Sequence, residues 1–356
     1  MRTIALFLPN WIGDVVMATP AVRAVRKTFP RSRLLGVVKP YVSESLSGCP
    51  WFDRVIPFDR SAATGPGFWS TARTLRAERA DAAVLFPNTF RSALLARFGG
   101  CRRVIGFARY GRDFLLSDRL YPVRDGSGQP KPTPVIGDYN RLVETLGTPA
   151  PGHDTQLFTT PRDEAAADDA WAVLGLGRYR QAVGLNPGGA FGASKHWPTE
   201  HFAELARTFA EQGFGVLVLC GPSERAEADT IAAKAGHPAV VSLGIAPLSI
   251  GLTKACVRRL ALLVTTDSGP RHFAPAFGVP VVTMFGPTHI AWTETYQRAA
   301  IHLQIPVDCG PCQKRICPLG HHRCMTELLP AAVAAAGRDL LIREAGRVAE
   351  PAPAAA

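Results

Sequence analysis

The sequence predicts an α/β protein of two doubly wound, Rossmann-like parallel-sheet domains facing a cleft. Three observations carry that expectation. Short apolar runs alternate with longer amphipathic stretches, as strands alternate with crossover helices. The alternation lapses at Thr148–Pro161, where prolines stand at 149, 151 and 161, and then restarts. The chain has 356 residues, 47% apolar and 19% charged, enough for two domains with substantial cores.

Taken in order, Ile4–Leu8 reads as the first strand and Pro9–Gly13 as a loop. A helical pattern then runs from about Asp14 to Phe29, and Pro20 inside it means a kink or a second start. Leu34–Val38, Val55–Phe58 and Ala82–Phe86 are further strands, and Asp125–Pro134 reads as a mobile loop. After a helix near Asp163–Leu174, strands are expected at Gln181–Asn186, Gly215–Cys220, Ala239–Leu243, Leu260–Thr266 and Val281–Phe285. Helices fall at Thr199–Gln212 and Glu224–Ala235, and Asp267–Gly278 leads into another. The expected division is 1–160, 161–330, a helix over 331–349 and a disordered tail over 350–356.

No apolar run approaches the ~20 residues that span a bilayer. Met1-Arg2-Thr3 before the first strand is too short for a signal peptide, so the cytoplasm is the expected compartment. Formal charge is +11, and its distribution is uneven. Residues 1–160 hold 22 Lys and Arg against 12 Asp and Glu, a net of +10; the rest hold 18 against 17. Such a half suits an anionic partner: nucleic acid, an acidic lipid surface or a phosphorylated substrate. Helix-turn-helix, zinc-finger and aromatic RNA-binding signatures are missing, which argues against nucleic acid.

Four segments could carry chemistry. Asp14 follows the first strand at Gly13, where its carboxylate serves either as a general base on a hydroxyl or as a helix cap. Gly188 and Gly189 open a glycine-rich loop after a strand, with Lys195 beyond it. Such a loop lets backbone N–H groups approach phosphate, though the order is not that of a Walker loop. Asp267-Ser268-Gly269 ends a strand, with Ser268 as a candidate cap, an anion-favouring helix start and His272 one turn in. Asn88, Arg91, Ser92, Arg109 and Arg112 form a candidate anionic-acceptor surface in the basic half. Cys309, Cys312, Cys317 and Cys324, with His321 and His322 among them, suggest a structural zinc or a redox-sensitive loop.

In order along the chain, these segments resemble the lipopolysaccharide heptosyltransferases of glycosyltransferase family 9, and within it the ADP-heptose heptosyltransferase II subgroup. The carrying residues are Leu8-Pro9-Asn10-Trp11-Ile12-Gly13-Asp14, Asn186-Pro187-Gly188-Gly189 with Lys195-His196-Trp197-Pro198, Cys220-Gly221-Pro222-Ser223-Glu224, and Thr266-Asp267-Ser268-Gly269 with His272. Cys317-Pro318-Leu319-Gly320-His321-His322-Arg323-Cys324-Met325 is similar to the subgroup's signature.

The resemblance implies a GT-B fold, with an acceptor domain, a nucleotide-sugar domain and a last helix packing back on the first. It implies inverting transfer of heptose from ADP-heptose to a heptosyl-Kdo2-lipid A acceptor at the cytoplasmic face of the inner membrane. Asp14 then matches the general base, Lys195 the diphosphate contact, Asp267 the sugar-binding carboxylate, and Ser268–Gly269 the phosphate-binding turn. Glu224, or nearby Glu227, matches the ribose ligand. No cofactor is required on this reading; a divalent cation and a zinc at the cysteines stay open. Heptosyltransferase I, or a related enzyme with another acceptor, is the nearest alternative.

Overall fold

The computed structural model describes residues 1–59, 67–129, 131–189 and 191–349. It divides into two compact units, Met1–Phe158 with Ala291–Tyr296, and Thr159–Ile290 with the chain from Gln297 onward.

The first unit holds β1 (Thr3–Phe7), β2 (Arg33–Val38), β3 (Arg54–Pro57), β4 (Ala82–Leu85), β5 (Arg103–Phe107) and β6 (Asp118–Leu120). They form one sheet in the order β3-β2-β1-β4-β5-β6, and every pairing is parallel. Both faces are covered, so the central strands are apolar throughout rather than alternating with polar residues. Ile4, Leu6, Val84 and Ile105 face one core with Val15, Val22, Ile136 and Leu142. Ala5, Phe7, Leu35 and Leu85 face the other with Leu75, Ala93 and Leu95. A one-residue slip would exchange the two sets, which pins the register.

The helical stretch after β1 starts twice, as Ile12–Met17 and Thr19–Thr28, with Pro20 in the first turn of the second helix. There the ring needs no N–H partner. Most of the Asp125 segment is an ordered turn: the Asp125 carboxylate accepts from the Ser127 and Gln129 N–H groups at 2.9 and 3.0 Å. Pro130 lies outside the described residues.

The second unit repeats the plan with β7 (Ala182–Asn186), β8 (Gly215–Val218), β9 (Val240–Ser242), β10 (Leu262–Thr266), β11 (Val281–Phe285) and β12 (Ala300–Gln304). Its order is β12-β11-β10-β7-β8-β9, again fully parallel. A capping box between Thr160 and Asp163 starts its first helix, Pro161–Val173.

The last helix, Pro330–Ala349, packs on the second unit itself, against helix Thr199–Glu211 and strands β10, β11 and β12. Gly337 lets it come close, since a Cβ there would stand 2.8 Å from Phe209 Cζ. Residues 350–356, expected to be a disordered tail, lie outside the described residues. Among the described residues no helix is long and apolar enough to cross a membrane.

Candidate active site

In both sheets the chain reverses its winding direction at the centre, between β1 and β4 and between β7 and β10. At such switch points neighbouring loops diverge at the strands' carboxyl ends and leave a crevice for ligand. Asp14 follows β1, and Asn88, Arg91 and Ser92 follow β4. Gly188, Gly189 and Lys195 follow β7, while Asp267, Ser268, Gly269 and His272 follow β10. The sequence-derived residues therefore gather at two crevices, one in each unit.

The second crevice is built around a buried ion pair. Lys195 Nζ lies 2.6 Å from Asp267 Oδ2 and donates to the Asp267 carbonyl at 2.8 Å. Thr288 Oγ1 donates to the same Oδ2 at 2.8 Å, and Arg271 approaches Oδ1 at 3.4 Å. Asp267 is 5% exposed and Lys195 8%. Burial by itself would raise the Asp267 carboxyl; Lys195 and Arg271, with the bonds from Lys195 and Thr288, outweigh it and hold the group at about 2.

The strand ends below this pair are latched to the glycine loop. Asn186 Nδ2 donates to Thr265 Oγ1 at 3.0 Å and to Ser268 Oγ at 2.8 Å. Thr266 Oγ1 donates to the Gly188 carbonyl at 2.9 Å. The Glu224 carboxylate lies over the loop, where a Cβ on Gly188 would stand 2.2 Å from it and push that side chain aside. Glu224 in turn accepts from the Gly221 N–H at 2.8 Å. Glu227 is half-buried on the helix that follows, and burial raises its carboxyl, opposed by His196 and reinforced by Glu224.

Two expectations change at β10. Ser268 does not cap the next helix; Gly269 takes that position and Asn186 holds the Ser268 hydroxyl instead. That helix is a single turn, Pro270–His272, running into Phe273–Phe277, so little dipole accumulates behind it. His272 is buried, and burial with the Arg271 charge pushes its imidazole down to about 3. A neutral ring offers phosphate no charge. Its Nδ1 finds no partner among the described protein groups.

In the first crevice Asp14 stands at the third position of helix Ile12–Met17 and is half-buried. Two phenols feel its charge. Burial, and then the Asp14 carboxylate, raise Tyr41 and Tyr139 above the ordinary phenol range. Tyr41 also donates its hydroxyl to the Asn10 carbonyl in the loop that delivers Asp14.

The basic candidates of this unit separate into two kinds. Arg91 is exposed, Arg109 is half-buried, and each lies over an aromatic ring, Phe68 and Phe107 respectively. Arg112, expected on the acceptor surface, is fully buried. Its guanidinium donates to the Phe107, Pro87 and Thr89 carbonyls and to Asn88 Oδ1, bracing the loop after β4. Ser92 is likewise internal, bonded to Thr89 at the start of its helix. Both side chains are spent on the protein's own loop after β4.

Cys309, Cys312, Cys317 and Cys324 line one pocket with His321 and His322. Among the described residues no three His, Cys, Asp or Glu groups stand where they could hold a metal ion. The zinc that the cysteine spacing left open thus has no formed ligand set among the described residues. His322 Nε2 donates to the Ser194 carbonyl at 2.7 Å.

Sequence reasoning missed Arg271 and Thr288, which complete the Asp267 network, and Asn186, which latches two strands. The available signal was polar residues at the ends of apolar strands, including Thr288 just past β11.

The family model of glycosyltransferase family 9 (heptosyltransferase) matches residues 68–323. The chain belongs to glycosyltransferase family 9. It is 26% identical to lipopolysaccharide heptosyltransferase 2 of Escherichia coli K12 over 94% of this chain and 97% of the relative. It is 28% identical to lipopolysaccharide heptosyltransferase 1 of Pseudomonas aeruginosa over 88% and 87%. The solved structure of the E. coli ADP-heptose lipopolysaccharide heptosyltransferase II superposes with a TM-score of 0.78, at 24% identity, covering 97% of this chain and all of that one. As a family 9 protein with two parallel six-stranded sheets, it has the GT-B fold and is a heptosyl-type glycosyltransferase.

Proposed function

We propose that this family 9 protein transfers heptose, with inversion, from ADP-heptose to an inner-core lipopolysaccharide acceptor already bearing one heptose. The observation that carries the reading is the Lys195–Asp267 pair, buried beside a glycine loop on which Glu224 lies. A donor with a ribose, a diphosphate and a hydroxyl-rich sugar has one matching group for each part. Glu224 takes the ribose; its carboxylate lies on the loop itself, which favours it over Glu227. Gly188 and Gly189 leave room for the nucleotide, and the Ser268–Gly269 turn offers backbone N–H groups to phosphate. On donor binding Lys195 turns from Asp267 to the diphosphate, and the freed Asp267 oxygen accepts a heptose hydroxyl.

Asp14 is the proton acceptor. It takes the proton from the acceptor hydroxyl as that oxygen forms its bond to the anomeric carbon. The bond to the ADP oxygen breaks on the opposite face, and ADP leaves with the bonding pair. Lys195 stabilises that departing charge, an effect worth roughly 3 kcal/mol for one well-placed donor. Asn88, Arg91 and Arg109 are the acceptor contacts. The basic excess of residues 1–160 suits an anionic lipid at the cytoplasmic face of the inner membrane, where each basic residue adds about 1 kcal/mol.

The test is transfer from ADP-heptose to Kdo2-lipid A with and without its first heptose. Turnover only on the heptosylated acceptor supports the reading. Turnover only on the bare acceptor moves the protein to the heptosyltransferase 1 activity, which the 28% identity to the P. aeruginosa relative keeps in view. No turnover on either acceptor overturns the reading.

A further inference from the structure

The Cys-rich segment is left without a role by the transfer reading, yet it is fastened to the loop that carries Lys195. Ser194 N–H donates to the Arg315 carbonyl at 3.1 Å, and Ser194 Oγ donates to the Lys314 carbonyl at 2.6 Å. His322 closes a third bond to the Ser194 carbonyl. The approach is close enough to require glycine: a Cβ on Gly192, whose φ is +151°, would stand 2.5 Å from the Arg315 carbonyl oxygen. These contacts fix the backbone of residue 315 against the donor loop while its side chain remains exposed.

That side chain reaches the loop's aromatic residue. The Arg315 guanidinium carbon lies 5.7 Å from the Phe191 ring centroid, and Lys195 Nζ lies 4.6 Å from the same centroid. The other cations of the crevice are committed inward. Lys195 binds Asp267 twice, and the buried Arg271 binds Thr283 and Asp267 and meets His302. A departing diphosphate carries more negative charge than one shared lysine offsets. An exposed guanidinium on the same ring supplies a planar, permanently charged donor that suits paired phosphate oxygens.

We propose that Arg315 is a second diphosphate-binding cation of the donor site, delivered by the Cys-rich segment acting as a strut on the Lys195 loop. The inference rests on the donor reading above. It makes the segment part of the nucleotide-sugar site rather than a separate module.

Calorimetric titration of the full chain with ADP and with adenosine, for wild type, Arg315→Ala and Arg315→Lys, tests it. Arg315→Ala keeps the carbonyl that pins Ser194, so its melting temperature should match wild type. Its ADP affinity should fall about tenfold or more, as for a lost charge-assisted bond, while adenosine binding is unchanged. Arg315→Lys should recover part of the loss by restoring charge without the planar fork. ADP bound equally by wild type and Arg315→Ala sinks this proposal alone. An equal loss of adenosine binding sinks it too, because the residue would then act only on loop structure. Wild-type protein that binds no nucleoside diphosphate sinks the donor reading and this inference with it.

Discussion

The two units share one topology and differ in what stands at its switch point. In the second, Lys195, Asp267, Arg271 and Thr288 form a buried, mutually bonded network. In the first, Asp14 stands half-buried near two raised phenols, while the buried Arg112 is spent on loop carbonyls. Identical winding thus delivers loops to equivalent places, and the residues on those loops decide the chemistry. One crevice pairs its charges with one another inside the fold; the other leaves a half-buried carboxylate, the proton acceptor of the proposed reaction.

The difference is sharpened most strongly by Asp14→Asn. Removing the base while keeping shape should lower kcat about 1,000-fold, with ADP affinity and melting temperature unchanged. A variant that keeps wild-type kcat would remove the carboxylate from the chemistry and break the contrast. Next comes Lys195→Ala, where function and stability should fall together. Leaving Asp267 buried without its closest cation should cost about 3 kcal/mol, read by denaturant unfolding, alongside weaker ADP binding. Unchanged stability would mean that Arg271 and Thr288 suffice and that the pair serves the ligand alone.

A further prediction concerns pH. His272 has its folded pKa lowered from 6.5 to about 3. Above pH 6.5 neither state binds the proton. Below it the unfolded chain does and the native ring does not, so stability falls by about 1.4 kcal/mol per pH unit towards pH 3. Asp267 adds a further loss from about pH 4 down towards its folded value of about 2. His272→Gln should therefore flatten the dependence of unfolding free energy between pH 6 and 4 by one proton's slope. An unchanged slope would show that the ring titrates normally.

Much of this was legible from residue order. Pro20 announced the broken helix, and the runs at Ile4, Ala82, Ala182 and Leu262 announced the central strands because both sheet faces are buried. Three outer strands were not. β5 carries Arg103 and Gly106, β6 has three residues with Asp118 and Arg119, and β12 is half-buried with His302 and Gln304. β6 and β12 lie at sheet edges and bury less, so their apolar signal weakens, whereas β5 is buried but Arg103 and Gly106 interrupt its apolar run. Asp14, Lys195 and Asp267 were readable as chemistry at strand ends. Arg112 was not, because a charge that is solvated and one that is buried look alike until the fold says which carbonyls surround it.

The sequence by itself determined the winding, the strand ends at which ligand chemistry collects, and the family, since apolar periodicity and short motifs are local properties. Tertiary structure alone decided which charges are spent inward: the Lys195–Asp267–Arg271 network, the buried Arg112, the neutral His272, and the strut from Arg315 to Ser194. These joins link residues as much as 128 positions apart, from Ser194 to His322. The energy of a charge depends on its burial and its partners, and no local pattern encodes either.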